Sequence, residues 1–248
     1  LLASFGRLVR EVEPEIVSME NVASLQSKKV FRDFLRTLHE NGYYVWWDTV
    51  ACQDYGVPQH RRRLVLLASK FGELEIIQPT HDEETFVTVR EMIGDLPPLS
   101  AGEVDPNDQL HRASQMSELN LRRIQSSVPG GTWEDWEEDL RANCHREDSG
   151  RSYYNVYGRM MWDGLAPTIT TQFTGFGNGR FGHPEQDRAL SLREGALLQT
   201  FPPGYGFFDP EQGYFLSYIA KHIGNAVPVQ LARVIAKTIR FHLETHSK

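Results

Sequence analysis

The sequence predicts an α/β fold that gives way to a second, less regular part. Three observations carry this. A short apolar run, Glu15–Met19, follows Pro14 and stops at the polar pair Glu20–Asn21, as a buried strand does when its end presents a site. Val30, Phe31, Phe34, Leu35 and Leu38 then recur at helical spacing. From about residue 72, Pro, Gly and acidic residues rise and periodicity fades.

The elements follow in chain order. The helix runs from Ser27 to Asn41 and is closed by Asn41-Gly42. Tyr43–Val50 is aromatic and β-branched, hence a strand, and Leu64–Ala68 is another. Strand, helix, strand, loop and strand make an α/β unit. Val87–Ile93 and Met116–Ile124 are expected as short helices. Trp133–Asp139 reads as a solvated helix face anchored by tryptophans. Val156 and Ala166–Phe173 read as strand material around turns, and Leu190–Leu198 as a helix start. Pro228–Leu243 closes the chain as an amphipathic helix through Val229, Leu231, Val234, Ile235, Ile239 and Leu243. No repeat or low-complexity tract interrupts the order.

A chain of 248 residues suits one large domain or two modest ones. No apolar run approaches the ~20 residues of a membrane span, and no basic-then-apolar leader is visible. The chain opens without Met, in mid-pattern, so a fragment or processed piece is expected. Cys52 and Cys144 stand far apart without a CxxC, which indicates neither a disulfide framework nor a cysteine zinc site. The nine histidines lack ligand spacing, His242 and His246 included, so no metal is expected. Net charge is −7, but residues 1–72 carry +2, 222–248 carry +3 and 73–221 carry −12. That balance disfavours tight non-specific nucleic-acid binding and leaves room for a cleft with a few placed arginines.

Three strings carry chemistry: Glu20-Asn21-Val22 after a buried strand, Gln59-His-Arg61-Arg-Arg63, and Gly224-Asn225-Ala226-Val227-Pro228 at the expected start of the last helix. Between them lie Arg188-Ala-Leu-Ser-Leu-Arg193-Glu194 and Leu198-Gln199-Thr-Phe-Pro202. Singly these are a capped strand end, an arginine cluster and a helix N-terminus. In this order and at these spacings they resemble the DNA cytosine-5 methyltransferase family across most of the chain, from its E-N-V motif through Q-x-R-x-R and a variable target-recognition region to R-x-x-x-x-R-E and G-N-x-V.

The resemblance implies an incomplete S-adenosylmethionine-dependent methyltransferase (Rossmann-like) sheet plus a small irregular target-recognition domain. Residues 1–72 would be the later half of the catalytic α/β domain, 73–198 the target-recognition domain, 199–221 a hinge, and 222–248 a C-terminal helix returning to the catalytic domain. It implies methyl transfer from S-adenosylmethionine to carbon 5 of a flipped cytosine in duplex DNA, in a restriction-modification setting. Glu20, Arg61 and Arg63 would be catalytic. A partly buried carboxyl with a raised pKa suits the protonation demand at cytosine nitrogen 3. Arg63 would bind the base's carbonyl oxygen and Arg61 the catalytic loop or a phosphate, uses that suit a guanidinium fork. Asn21, Gln59, Thr168, Ile169 and Arg193 would serve the substrate, with Gln59 supporting the arginines and Thr168-Ile169 beside the flipped base. Asn225, Ala226 and Val227 would lie at the S-adenosylmethionine site. The enzyme would work in the bacterial cytoplasm with the nucleoid, or in the nucleus of a eukaryote.

Two family motifs have no match here. The nucleophile's Pro-Cys-Gln should precede E-N-V. Ala51-Cys52-Gln53 imitates it, but comes after E-N-V, has Ala for Pro, and sits on the approach to Q-x-R-x-R. Cys52 is therefore expected to be a small buried residue, and Cys144 receives no role. The cofactor's F-x-G-x-G is matched only by Phe173-Thr-Gly175-Phe-Gly177, where His183-Pro184 stands in place of the required helix. That stretch reads as a flexible glycine loop whose backbone can approach DNA. The expected partner is an N-terminal segment or subunit carrying the cofactor motif and the cysteine. Without it the chain should be inactive, and the strand at Ile16–Met19 should expose an unpaired edge that promotes association. The alternatives are a non-catalytic DNA-recognition subunit of a split methyltransferase and a family member acting on RNA.

Overall fold

The computed structural model describes residues 1–147, 154, 156–208 and 215–246. They form two compact units, one from Leu1–Gly56, Arg61–Thr85 and Gln230–Lys248, the other from Val57–His60 and Phe86–Val229. The divisions thus fall near 85 and 229, not near 72 and 221, because the segment 73–85 stays with the first unit.

In the first unit, α1 (Leu2–Val12) leads into β1 (Ile16–Val22), α2 (Lys29–Glu40) and β2 (Tyr44–Ala51). After a two-residue strand, β3 (Gln59–His60), β4 (Arg62–Ser69) completes an antiparallel sheet in the order β1-β4-β2. The central place of β4 explains its unbroken apolar run. Leu64, Leu66 and Ala68 pack with Val9, Phe31, Phe34 and Leu38 of α1 and α2. The alternate residues point to the other face, where Ser69 Oγ meets His242 Nε2 at 2.7 Å on α8 (Val229–His246). The helix closure at Asn41-Gly42 is as expected, with Gly42 at φ 78°. The α1 helix was not predicted. Its Gly6 is buried, and a Cβ there would stand 3.3 Å from the Phe34 ring, so a glycine that weakens the local helix signal is what admits α2.

Along β1, Glu20 faces Val65, Asn21 faces Leu64 and Val22 faces Arg63. Among the described residues no strand pairs with the other edge of β1. Its burial follows suit: only Val17 is fully buried.

The second unit contains α3 (Val89–Ile93), α4 (Glu118–Gln125), α5 (Asn143–Arg146), β5 (Ala166–Pro167), α6 (Leu192–Leu198) and α7 (Leu216–Asn225). Its main core gathers Ile93, Leu110, Met160, Ile169, Phe173, Leu190, Leu198 and Ile223, and a smaller one gathers Ile124, Trp133, Trp136, Leu140 and Phe176. Three expectations are corrected. Trp133–Asp139 is no helix face: two single turns, Trp133–Asp135 and Glu138–Leu140, bury both tryptophans. The stretch 166–173 is strand only at Ala166–Pro167, parallel to β3. The supposed hinge 199–221 includes the first turns of α7, and Gly224-Asn225-Ala226-Val227-Pro228 joins α7 to α8 rather than opening the last helix.

Candidate active site

The first unit brings Glu20, Arg63, Arg61 and Cys52 together. Glu20 lies on β1 and Arg63 on β4, diagonal neighbours on one face of the sheet. Arg63 Nε stands 2.9 Å from Glu20 Oε1, with side-chain exposures of 15% and 17%. The pair stands at ion-pair distance, and Oε1 is buried beside the guanidinium. Burial raises the Glu20 pKa, and the opposing charges of Arg63 and Arg61 do not cancel that effect. Arg61 is 2% exposed. Burial, reinforced by the charge of Arg63, pulls its pKa down to about 10. Arg62 points away, as strand alternation requires, and donates to the Thr49 carbonyl. Asn21 Oδ1 accepts from the Val22 amide at 2.8 Å, so the side-chain oxygen terminates the strand locally.

Cys52 is fully buried and its amide donates to the Arg61 carbonyl at 2.8 Å. Burial pushes its thiol up to about 12. A thiol so protonated at neutral pH is no nucleophile.

The second unit holds Gln59, Thr168 and Ile169, and gives Gln59 a different role from the one implied. Gln59 is fully buried, with Nε2 donating to the Leu198 carbonyl (2.7 Å) and to Gln199 Oε1 (3.0 Å), while Oε1 accepts from the Ile169 amide (2.9 Å). Both donors and the acceptor are in use, so Gln59 does not face a substrate. Gln199, which the sequence did not single out as a site residue, continues the chain of bonds: its Nε2 reaches the carbonyls of Ile223 (2.8 Å) and Ala226 (3.4 Å). Thr168 Oγ1 donates to the His60 carbonyl at 2.7 Å, which leaves its oxygen able to accept.

Arg193 is held by Asp108, and its buried Nη1 has no hydrogen-bond partner among the described residues. Its Nε and Nη2 bind Asp108 at 2.5 and 3.0 Å. Arg188, fully buried, grips Glu194 through Nη1 and Nη2 at 2.8 and 2.7 Å. Glu194 also accepts from the Ser191 amide, closing a capping box with Ser191 on α6. The S-x-x-E spacing was the available signal for that structural role. Asn225 is exposed at the end of α7, and Ala226 and Val227 are half-buried. Gly224 is packed: a Cβ there would lie 2.4 Å from the Thr170 carbonyl group. The glycine loop likewise has internal reasons for its glycines, since a Cβ at Gly177 would meet Tyr157 at 2.9 Å.

Among the described residues, no three His, Cys, Asp or Glu side chains could share a metal, and no helix is long and apolar enough to cross a membrane.

The family model for C-5 cytosine-specific DNA methylases matches residues 1–240. The chain is 56% identical to the type II methylase M.HgiDII of Herpetosiphon aurantiacus over 247 residues, covering 98% of this chain and 70% of that protein. It is 32% identical to the type II methyltransferase M1.HphI of Haemophilus parahaemolyticus, covering 96% of this chain and 60% of that one. A DNA modification methyltransferase from an Escherichia coli prophage shares the fold at a TM-score of 0.69 and 20% identity, over 97% of this chain and 73% of that one. Entamoeba histolytica EhMeth does so at 0.62 and 16%, over 98% and 69%.

Proposed function

The chain belongs to the C-5 cytosine-specific DNA methylase family, and from that premise we propose that it holds the target base and part of the cofactor site of an enzyme methylating carbon 5 of cytosine in duplex DNA. One observation carries this reading: a carboxyl with a raised pKa, one oxygen buried against the Arg63 guanidinium, beside a second guanidinium that is nearly inaccessible.

Carbon 5 of cytosine is a poor nucleophile until a thiolate adds at carbon 6 and negative charge moves toward nitrogen 3. Glu20, its pKa raised by burial, is placed to hold a proton at nitrogen 3. Arg63 donates to the carbonyl oxygen of the ring. Arg61 keeps positive charge beneath both in a poorly solvated place, where it acts more strongly than in water. Bringing the base out of the duplex costs a few kcal/mol, which contacts in the pocket offset. Cys52 does not attack. The attacking thiolate comes from polypeptide outside these 248 residues, and the chain alone is inactive.

S-adenosylmethionine, the family's methyl donor, supplies an electrophilic methyl group on a sulfonium. The α7–α8 turn suits the edge of its site, because an exposed carboxamide stands there beside two half-buried apolar residues. Asn225 would offer the polar contact, with Ala226 and Val227 forming the apolar wall.

The test is labelled methyl transfer to duplex DNA, with tRNA as the second substrate and the remaining polypeptide supplied in trans. Glu20→Gln should lower the rate by about 10²–10⁴-fold, the usual contribution of a placed acid–base group, with little change in DNA affinity. An unchanged rate would remove Glu20 from the mechanism, and methylation of tRNA alone would replace DNA by RNA as substrate.

A further inference from the structure

The second unit carries a groove of about 500 Å³ between residues 114–120 and the loop 171–178. Its lining is polar and uncharged: Ser, Thr, Gln and Asn side chains interleaved with Gly175, Gly177 and a few apolar residues, with no Lys, Arg, Asp or Glu. A surface that binds phosphates needs cations, and one that binds apolar ligands needs a continuous apolar wall. Carboxamides and hydroxyls instead match the donor and acceptor edges of base pairs.

Most of the carboxamides in the groove are engaged elsewhere. Gln115 Nε2 donates to the Met116 carbonyl, Asn120 Oδ1 accepts from Arg123, and Asn178 Nδ2 donates to the Gln172 carbonyl. Gln172 differs. Its backbone is pinned, with the carbonyl accepting from the Gly175 amide at 3.0 Å and from Asn178 Nδ2 at 3.3 Å. A Cβ at Gly175 would meet Asn178 Nδ2 at 2.3 Å and displace that side chain from the Gln172 carbonyl. The Gln172 side chain is exposed, and no bond to the described residues occupies its carboxamide. A rigid backbone that presents a free carboxamide is preorganised for recognition, since less conformational freedom is lost on binding.

We propose that Gln172 is a specificity-determining residue that reads the major-groove edge of an adenine in the recognition sequence. Its carboxamide can pair bidentately: Nε2 donates to N7 and Oε1 accepts from the exocyclic N6 amine. This rests on the proposed action on duplex DNA.

The experiment uses the complete methyltransferase containing this chain. Wild type and the variants Gln172→Ala and Gln172→Glu are incubated with a library of duplexes randomised around cytosine, and methylated sites are read by sequencing. The expected result is that one position restricted to A·T in wild-type products becomes permissive in Gln172→Ala, its preference falling about tenfold or more. Unchanged preference in an active variant overturns the inference. If a folded variant no longer methylates, the ratio of specific to non-specific DNA affinity decides: a fall of similar size supports the assignment and an unchanged ratio overturns it. If wild type methylates no duplex, the action on DNA is itself wrong, a separate failure from an unchanged variant beside an active wild type.

Discussion

Arg193 and Glu194 are adjacent in sequence and opposite in function. Successive residues on a helix point about a quarter turn apart, so Glu194 of α6 is turned fully inward to Arg188 while Arg193 reaches Asp108. Burial by itself would push the Glu194 pKa up. The hydrogen bonds and charge of Arg188 outweigh it and hold the carboxyl below its usual range. His183 lies 3.7 Å from the same carboxylate, but burial pulls its pKa down to about 4, so Arg188 carries the compensating charge at neutral pH. Breaking one side of such a pair strands the other charge. Glu194→Gln should therefore lower stability by about 3–5 kcal/mol in denaturant unfolding, whereas Arg122→Ala, which loses only an exposed pair with Asp139, should cost about 0–1 kcal/mol. Equal losses in the two variants would refute this account of Arg188 and Glu194.

At the scale of elements, two buried glutamines replace a sheet ladder. Gln59 on β3 ties itself to the end of α6 and to Ile169, and Gln199 ties the end of α6 to the α7–α8 turn. The β3–β5 pairing is only two residues long, so side-chain carboxamides satisfy backbone groups that a longer ladder would have satisfied. Gly224 admits the close approach of α7 to residues 170–171. Gly224→Ala has to displace that backbone. The expected outcome is a loss of about 1–3 kcal/mol by overpacking, despite the better helix propensity of Ala. A thermal midpoint equal to or above wild type would show that the contact yields freely.

At the scale of the molecule, β1 is, with β2, one of the two edge strands of the first unit's sheet. It carries Glu20 and Asn21, yet one edge presents backbone donors and acceptors without a strand partner among the described residues. Such an edge tends to pair with another chain. The isolated chain should therefore run above monomer mass in size-exclusion chromatography with light scattering. A stable monomer at tens of micromolar, with nothing added, would show that the edge is protected.

The sequence by itself determined the family, the α/β start of the chain, and the meeting of Glu20 with Arg61 and Arg63. Strand and helix periods and the register of short motifs are local properties, and Glu20 near the end of β1 and Arg63 near the start of β4 flank Arg61, which directly precedes β4. Only the tertiary structure decided which polar residues remain available. Gln59 and Arg188 look like ligand-binding groups in a string of letters, but burial and distant partners such as Ile169 and Glu194 occupy them, while Asp108 takes two of the three nitrogens of Arg193. Gln172, inconspicuous in sequence, is left free because its neighbours' bonds fix its backbone and not its carboxamide. Whether a polar group is spent or available depends on partners far along the chain, and that information exists only once the chain has folded.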